Sequence, residues 1–210
     1  MIFDDEFTKY GLDNIICYSG KDITDDFIKR CFNLDRVFYG KQFQWNSLGI
    51  ENTIKKFNQM CFVFLDKDRG NIVGYSYWFP VKEELITKYS QNKETLLAIK
   101  EEDCSPYNVS PVHLFLGGEA FVPGYDLYNL HKAVEDIFQR QILTLAKKGV
   151  KIGTVSFEAV CKYDEEYLLC RTNLKNKTKK DNSVFFYDNY SPKNMYNESK
   201  YCSELMEYYK

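Results

Sequence analysis

The chain has 210 residues, which fits one domain with embellishments and is enough to bury a core. Hydrophobic residues make up 44% and charged residues 28%, a profile of folded globular proteins and not of disordered ones. The formal charge of −2 disfavours nucleic acid as a partner. A membrane partner is also disfavoured, because no apolar run approaches the roughly 20 residues that a spanning helix needs.

Seven cysteines are scattered along the chain without a C-x-x-C pair. Since the only histidines are His113 and His131, the sequence predicts no zinc site and no other metal. Most of the thiols sit in apolar neighbourhoods, which is typical of small buried hydrophobic residues. The opening segment MIFDDEFTKYG lacks the basic start and apolar stretch of a signal peptide, so we expect a reduced, cytoplasmic protein.

The first part of the chain predicts a strand, two helices and a hairpin. The strand is NIICYSG, and Asp22 or Thr24 can cap a helix that ends near Tyr39. A second helix is predicted around residues 48–60. The segment CFVFLDKDRGNIVGYSYWFPV follows, with two aromatic and β-branched runs around a charged turn, a pattern that is typical of a hairpin.

The second part alternates strands and helices behind a charged insertion at residues 82–103, which predicts one or two peripheral helices. A strand over residues 112–122 precedes a long amphipathic helix that ends in two lysines and Gly149. The strand VKIGTVSFEAV, a short helix capped by Asp164 and the strand SVFFYDNY complete the main body. The basic run KNKTKKD between the last two is expected to be a solvated turn.

This order of elements predicts an α/β domain with three layers. Hairpin-linked strands come first and a strand–helix–strand crossover follows, which favours a mixed, mostly antiparallel sheet with helices on both faces. We expect a single domain over residues 1–190, with a helical insertion at about residues 82–105. Residues 191–210 are expected to form a helical C-terminal tail.

The element order resembles that of the GNAT superfamily of N-acetyltransferases. The resemblance covers residues 14–190 and includes NIVGYSYWFPV as the third strand and the long helix directly after the fourth strand. It implies the acyl-CoA N-acyltransferase fold, with acetyl-CoA or another acyl-CoA as co-substrate. It also implies transfer of the acyl group, by direct attack, to a primary amine of a small molecule or peptide. Both a monomer and a homodimer are compatible with the sequence.

The resemblance also implies where the co-substrate binds. In that superfamily the fourth and fifth strands part, and the pantetheine arm pairs with the fourth strand as an added edge strand would. The arm would then lie beside Ala120, Phe121 and Val122. The diphosphate would bind at the start of the next helix, where N–H groups and the helix dipole favour an anion. The residues there are Leu127, Tyr128, Asn129, Leu130, His131 and Lys132.

The predicted diphosphate loop departs from the superfamily's Q/R-x-x-G-x-G/A pattern. Asp126 stands where that pattern has a basic or amide residue, and Asn129 and His131 stand at the two glycine positions. Glycine is favoured there because a side chain would crowd the phosphates. Lys132 could partly compensate as a point charge.

Amide formation needs a base for the ammonium proton, an acid for the departing thiolate and a donor for the oxyanion. Glu119, on the predicted fourth strand, is the best-placed carboxylate for the base, and an exposed carboxylate without a role is the alternative. Tyr167 and then Cys170 are the candidates for the acid, although core packing on a helix stripe would also explain both.

Aromatic residues that could wall an acceptor pocket are Phe38, Tyr39, Trp45 and Tyr77, with core packing as the alternative. Two other functions stay open. A GNAT-shaped domain that binds a ligand without catalysis is favoured by the altered loop. An acyl-homoserine-lactone synthase is favoured by DRVFYGKQFQW, although its expected E-x-D-x-x-D run is missing from LGIENTIKKFNQ.

Overall fold

A computed structural model describes residues 1–39, 47–91, 99–160 and 162–210. Its helices are α1 (Asp5–Thr8), α2 (Asp25–Tyr39), α3 (Ser47–Lys56), α4 (Glu83–Gln91), α5 (Leu127–Ala146), α6 (Lys162–Leu169) and α7 (Cys202–Tyr208). Its strands are β1 (Ile2–Phe3), β2 (Ile15–Ser19), β3 (Cys61–Asp66), β4 (Ile72–Val81), β5 (Val112–Phe121), β6 (Ile152–Ala159), β7 (Asn176–Lys179) and β8 (Val184–Asn189).

The strands form an eight-stranded sheet in the order β1-β2-β3-β4-β5-β6-β8-β7. Strands β5 and β6 are parallel, whereas β1–β2, β2–β3, β3–β4, β6–β8 and β7–β8 are antiparallel. The sheet is therefore mixed and mostly antiparallel, which confirms the predicted fold class.

The chain divides into two compact units. The first consists of residues 1–79, 98–102 and 117–137, and the second of residues 80–97, 103–116 and 138–210. Strand β5 contributes its first half to the second unit and its second half to the first. The core of the first unit includes the buried rings of Phe7, Phe62 and Phe64, and that of the second includes Phe138 and Phe157.

The predicted hairpin is formed by β3 and β4, and Asp66 fixes its turn. The Oδ1 atom of Asp66 accepts the backbone N–H groups of Asp68 and Arg69, each at 3.0 Å. Gly70 closes the turn with φ +66°, a left-handed conformation that glycine adopts without a steric penalty. In the same unit, Thr24 caps α2, since its Oγ1 accepts the N–H of Phe27 at 3.2 Å.

The structure corrects the turn predicted for KNKTKKD, because four residues of this run form strand β7. Its pairs with β8 run from Asn176–Tyr187 to Lys179–Val184. The hydroxyl of Thr178 donates to the carbonyl of Ser90 at 2.6 Å, which ties β7 to α4. Lysine-rich composition is common on edge strands, where it prevents further pairing. The same composition is typical of solvated turns, so the sequence pattern did not distinguish an edge strand from a turn.

Other predicted boundaries shift by a few residues. Helix α3 ends at Lys56, and α6 begins at Lys162, ahead of the predicted cap at Asp164. The N-terminal β1 and α1 were not predicted from the sequence. In the described part of the chain, no helix combines the length and the apolar character needed to cross a membrane.

Strands β4 and β5 approach each other closely at Gly74. A Cβ atom at this position would lie 2.4 Å from Cδ1 of Phe121 and 2.6 Å from the carbonyl oxygen of Ala120. Both distances are shorter than van der Waals contact, and the second involves backbone that cannot rotate away. A glycine at position 74 is therefore required for the close approach of the second half of β5.

We expect Gly74→Ala to lower the free energy of unfolding by about 1–3 kcal/mol, because over-packing forces backbone and side chains to shift. Gly118→Ala is the matched control, since its Cβ would first meet a ring atom of Tyr75 at 3.3 Å. Urea denaturation of both variants measures the difference. A loss for Gly74→Ala no larger than that for the control would contradict this account.

Candidate functional site

The pairing of β5 with β6 ends before β5 itself ends. The pairs run from Val112–Ile152 to Leu116–Phe157. Strand β5 nevertheless continues to Phe121, and the chain then enters α5 at Leu127. The predicted cofactor-binding residues Ala120, Phe121 and Val122 therefore follow the last parallel pair.

The second half of β5 is held from the side of β4. The N–H of Val122 donates to the carbonyl of Val73 at 2.7 Å. The ring of Phe121 stacks on Phe64 with centroids 5.6 Å apart, and it meets the ring of His131 edge-on at 5.0 Å. The side chain of Phe121 thus packs between β3 and α5, which leaves its backbone groups as the part that could contact a cofactor.

The contact between His131 and Phe121 explains one departure from the glycine pattern. A histidine at this position of α5 packs its ring against β5 instead of projecting from the start of the helix. Edge-to-face pairs of this kind stabilise by about 0.5–1.5 kcal/mol beyond the area that they bury. The His131 side chain is therefore accommodated by packing against Phe121 within the first unit.

The loop between β5 and α5 is tied to the hairpin turn. Gly124 has φ +100°, and the hydroxyl of Tyr125 donates to Oδ2 of Asp66 at 2.9 Å. Desolvation alone would raise the pKa of Asp66, but the amides of Arg69 and Asp68 and the Tyr125 hydroxyl hold it below its usual value. A single buried carboxylate thus fixes both the β3–β4 turn and the loop that leads into α5.

The start of α5 carries its own acidic cap. Asp126 Oδ1 accepts the backbone N–H of Asn129 at 3.1 Å, and Oδ2 accepts Nδ2 of Asn129 at 2.9 Å. The Asp126 carboxylate therefore accepts a hydrogen bond from one of the backbone N–H groups that could otherwise bind an anion. Lys132 is the nearby cation, with Nζ 5.7 Å from the ring centroid of Tyr128 and 3.9 Å from Oε2 of Glu135.

A buried polar cluster lies between α2 and β4. The hydroxyl of Tyr75 donates to Oδ1 of Asp35, and the rings of Tyr75 and Tyr77 stack with centroids 4.7 Å apart. Asp35 is 7% exposed, and this burial raises its pKa to about 7. Burial likewise raises the pKa of Tyr77 well above its usual value and that of Cys31 to about 12.

The two faces of the sheet separate Glu119 from this cluster. Gly74 points toward Phe121, so the neighbouring Tyr75 points to the other face. By the same alternation along β5, Glu119 lies on the face of Phe121 and α5. Gly118 lies on the face of Tyr75, whose Cε2 would be 3.3 Å from a Cβ at that position. Tyr77, predicted to contact the acceptor, is buried on this second face.

The candidate acids belong to the second unit. The hydroxyl of Tyr167 accepts a hydrogen bond from Arg171, whose guanidinium lies 5.0 Å from the ring centroid of Tyr167 and 4.9 Å from that of Tyr196. Cys170 is exposed, so core packing does not account for it. The side chains of Phe38 and Tyr39, and all of Trp45, lie outside the described residues.

Sequence reasoning missed Asp35 and Arg171. Asp35 lies one turn after Cys31 on a stripe of α2 that also includes Ile28, and all three side chains are buried. A carboxylate on the apolar stripe of an amphipathic helix was the available signal. Among the described residues, no group of three His, Cys, Asp or Glu side chains is arranged to hold a metal ion.

No protein-family model matches the sequence, and no curated protein matches it either. Solved structures do match. Ard1 from Thermoplasma volcanium is 10% identical at a TM-score of 0.51, over 84% of this chain and 97% of that one. Naa50 from Arabidopsis thaliana, in complex with the bisubstrate analogue CoA-Ac-MVNAL, is 8% identical at a TM-score of 0.50. The match covers 83% of this chain and 97% of that one.

A chain of the NatC complex bound to Gag peptide and CoA is 8% identical at a TM-score of 0.53, over 83% of this chain and 96% of that one. At these identities the similarity concerns the fold. The protein has the fold of the GNAT N-acetyltransferases, as the resemblance in its sequence predicts.

The raised pKa of Asp35 predicts a pH-dependent stability. In the unfolded chain its pKa is near 3.8, so the folded state binds an extra proton between pH about 4 and about 7. Ionisation of buried Asp35 therefore destabilises the fold increasingly as pH rises through this window, and the effect levels off above it. The difference between 3.8 and about 7 corresponds to about 4 kcal/mol at most.

We expect Asp35→Asn to remove this penalty while the amide oxygen still accepts from Tyr75. Relative to the wild type, the variant should gain unfolding free energy from pH 4 to pH 8, by up to about 4 kcal/mol. Asp26→Asn is the control on the same helix, because the Asp26 side chain is 72% exposed. A stability difference for Asp35→Asn that does not change with pH would contradict the buried ionisation.

Proposed function

We propose that this protein is an acyl-CoA-dependent N-acyltransferase that moves an acetyl group from acetyl-CoA to a primary amine of a small molecule or peptide. The observation that carries the proposal is the end of the β5–β6 pairing at Leu116–Phe157, while β5 continues toward α5. Backbone groups of this kind can pair with the amides of a pantetheine arm, as in strand addition. The matches to structures bound to CoA and to CoA-Ac-MVNAL support the choice of co-substrate.

The direction of the cofactor follows from the chain path. The diphosphate would bind at the first turn of α5, from Leu127 to His131, where N–H groups and the helix dipole favour an anion. Because α5 follows the C-terminal end of β5, the arm would run back along Val122 and Ala120. On this path the thioester would lie near Gly118.

The reaction forms one C–N bond and breaks one C–S bond. The ammonium loses one proton to a base, and the neutral amine then attacks the thioester carbon. A backbone N–H of β5 would stabilise the oxyanion of the tetrahedral intermediate. As that intermediate collapses, the departing thiolate takes up a second proton, so that free CoA thiol leaves. Glu119 stays the sequence-based proposal for the base, and Tyr167 or Cys170 for the acid.

One observation favours a second function, a GNAT-shaped domain that binds a ligand without catalysis. The carboxylate of Asp126 already occupies an amide at the start of α5, and a diphosphate would meet its negative charge there. The two functions differ in whether acetyl-CoA is consumed.

We expect acetyl-CoA at millimolar concentration to raise the melting temperature by several degrees. A ligand present at about 100 times its Kd stabilises the folded state by about 2.7 kcal/mol, or roughly 2–4 °C for each kcal/mol in a chain of this size. A panel of amines and N-terminal peptides is then tested for release of free thiol. A thermal shift with release of thiol from an amine supports the transferase. No thermal shift at all would contradict the transferase and favour the binding domain, whose ligand would then not be acetyl-CoA.

Asp126→Asn tests the placement of the diphosphate. Asparagine still caps a helix, but it lacks the charge that would repel an anion. About 1 kcal/mol of repulsion at 4 Å in water corresponds to roughly fivefold tighter CoA binding, with a larger gain at low salt. Calorimetry with CoA measures this, and acetyl-pantetheine, which has no diphosphate, is the control ligand. Equal gains for both ligands, or no gain for CoA, would contradict the placement.

A further inference from the structure

We propose that Tyr75 is a catalytic residue that takes the proton from the acceptor amine, with Asp35 as the positioning residue that receives the proton of Tyr75 in turn. This inference rests on the proposed acyltransferase function and assigns its base to a face of the sheet different from that of Glu119. It is carried by a hydrogen bond, by a close approach to β5 and by the surroundings of Asp35.

Asp35 and Tyr75 link helix α2 to strand β4. Asp35 lies in the last two turns of α2, and its Oδ1 accepts the hydroxyl hydrogen of Tyr75 on β4. Tyr75 is 1% exposed and is held by the stacked ring of Tyr77. The phenol and the carboxylate therefore form a fixed donor–acceptor pair inside the first unit.

Tyr75 also faces β5. A Cβ atom at Gly118 would lie 3.3 Å from Cε2 of Tyr75 and 3.6 Å from its hydroxyl oxygen. The phenol ring and hydroxyl thus face Gly118 of β5 across the space that a side chain at this position would occupy. This is the residue beside which the proposed path of the arm places the thioester.

The titratable side chains around Asp35 differ in their pKa values. The titratable groups that face Asp35 among the described residues are Tyr75 and Tyr77 from β4 and Cys31 from its own helix. Burial raises the pKa of Tyr77 well above its usual value and that of Cys31 to about 12, so both stay neutral near pH 7. Burial raises the pKa of Asp35 to about 7, so Asp35 changes charge near physiological pH.

The proton balance is simple. One proton passes from the ammonium to the Tyr75 oxygen as the hydroxyl proton of Tyr75 passes to the Asp35 carboxylate. The neutral amine then attacks the thioester, and the second proton leaves with the thiol. Asp35 returns its proton to solvent through Tyr75 after the products leave. A carboxylate with a pKa near the working pH suits both halves of this cycle.

The experiment compares kcat and kcat/KM with pH for the wild type, Asp35→Asn, Tyr75→Phe and Glu119→Gln, with acetyl-CoA and the best amine of the panel. We expect Asp35→Asn and Tyr75→Phe each to lower kcat about 100-fold or more, a typical loss for a general base. The KM for acetyl-CoA should stay within about threefold, because neither side chain contacts the cofactor's diphosphate in this account. Asp26→Asn is the control on α2 and should behave as the wild type.

The pH profile separates a role in proton transfer from a role in folding. The wild type should lose kcat as pH falls through about 7, and Asp35→Asn should lack this limb, whereas the ionisation of the amine itself stays in every profile. The inference would be overturned if Asp35→Asn still lost kcat as pH falls through about 7. It would also be overturned if Glu119→Gln were the only variant without this loss. Tyr75→Phe gives the same test should Asp35→Asn fail to fold. A wild type that acetylates no amine would instead remove the proposed function, and the inference with it.

Discussion

The close approach of β5 to β4 at Gly74 is the constraint on which the candidate site depends. It brings the carbonyl of Ala120 and the ring of Phe121 against β4, and the hydrogen bond from Val122 to Val73 continues the contact. Strand β5 is thereby held from one side after its last pair with β6. Gly118 lies three residues before Phe121 on the same strand and faces Tyr75.

The start of α5 shows how packing and charge oppose each other at this site. His131 stands where the superfamily pattern has a small residue, and its ring packs edge-on against Phe121. Asp126 stabilises the helix by capping it, which is worth about 0.5–2 kcal/mol. The same carboxylate disfavours an anion there, so a diphosphate bound as we propose would have to compete with the protein's own cap. An altered loop can therefore keep the helix while weakening the affinity for its ligand.

Strong local patterns made much of the fold predictable from the sequence. Aromatic and β-branched runs predict the β3–β4 hairpin, and a long apolar stripe predicts α5. The observed bounds of both lie close to the predicted ones. Strand β7 was missed because lysine-rich edge strands and solvated turns share a composition. Asp35 was missed although it follows Cys31 by four residues on the apolar stripe of α2, because acidic residues are usually expected on the exposed face of a helix. Which face Glu119 occupies depends on pairing that only the three-dimensional structure reveals.

We propose that an acyl-CoA lies along β5 beyond Leu116, with its diphosphate at the start of α5. Titration of the 15N-labelled protein with CoA, followed through its backbone amide resonances, tests this directly. We expect the largest shifts on residues 118–122 and 127–132. Shifts confined to other segments, or unchanged spectra at millimolar CoA, would contradict it.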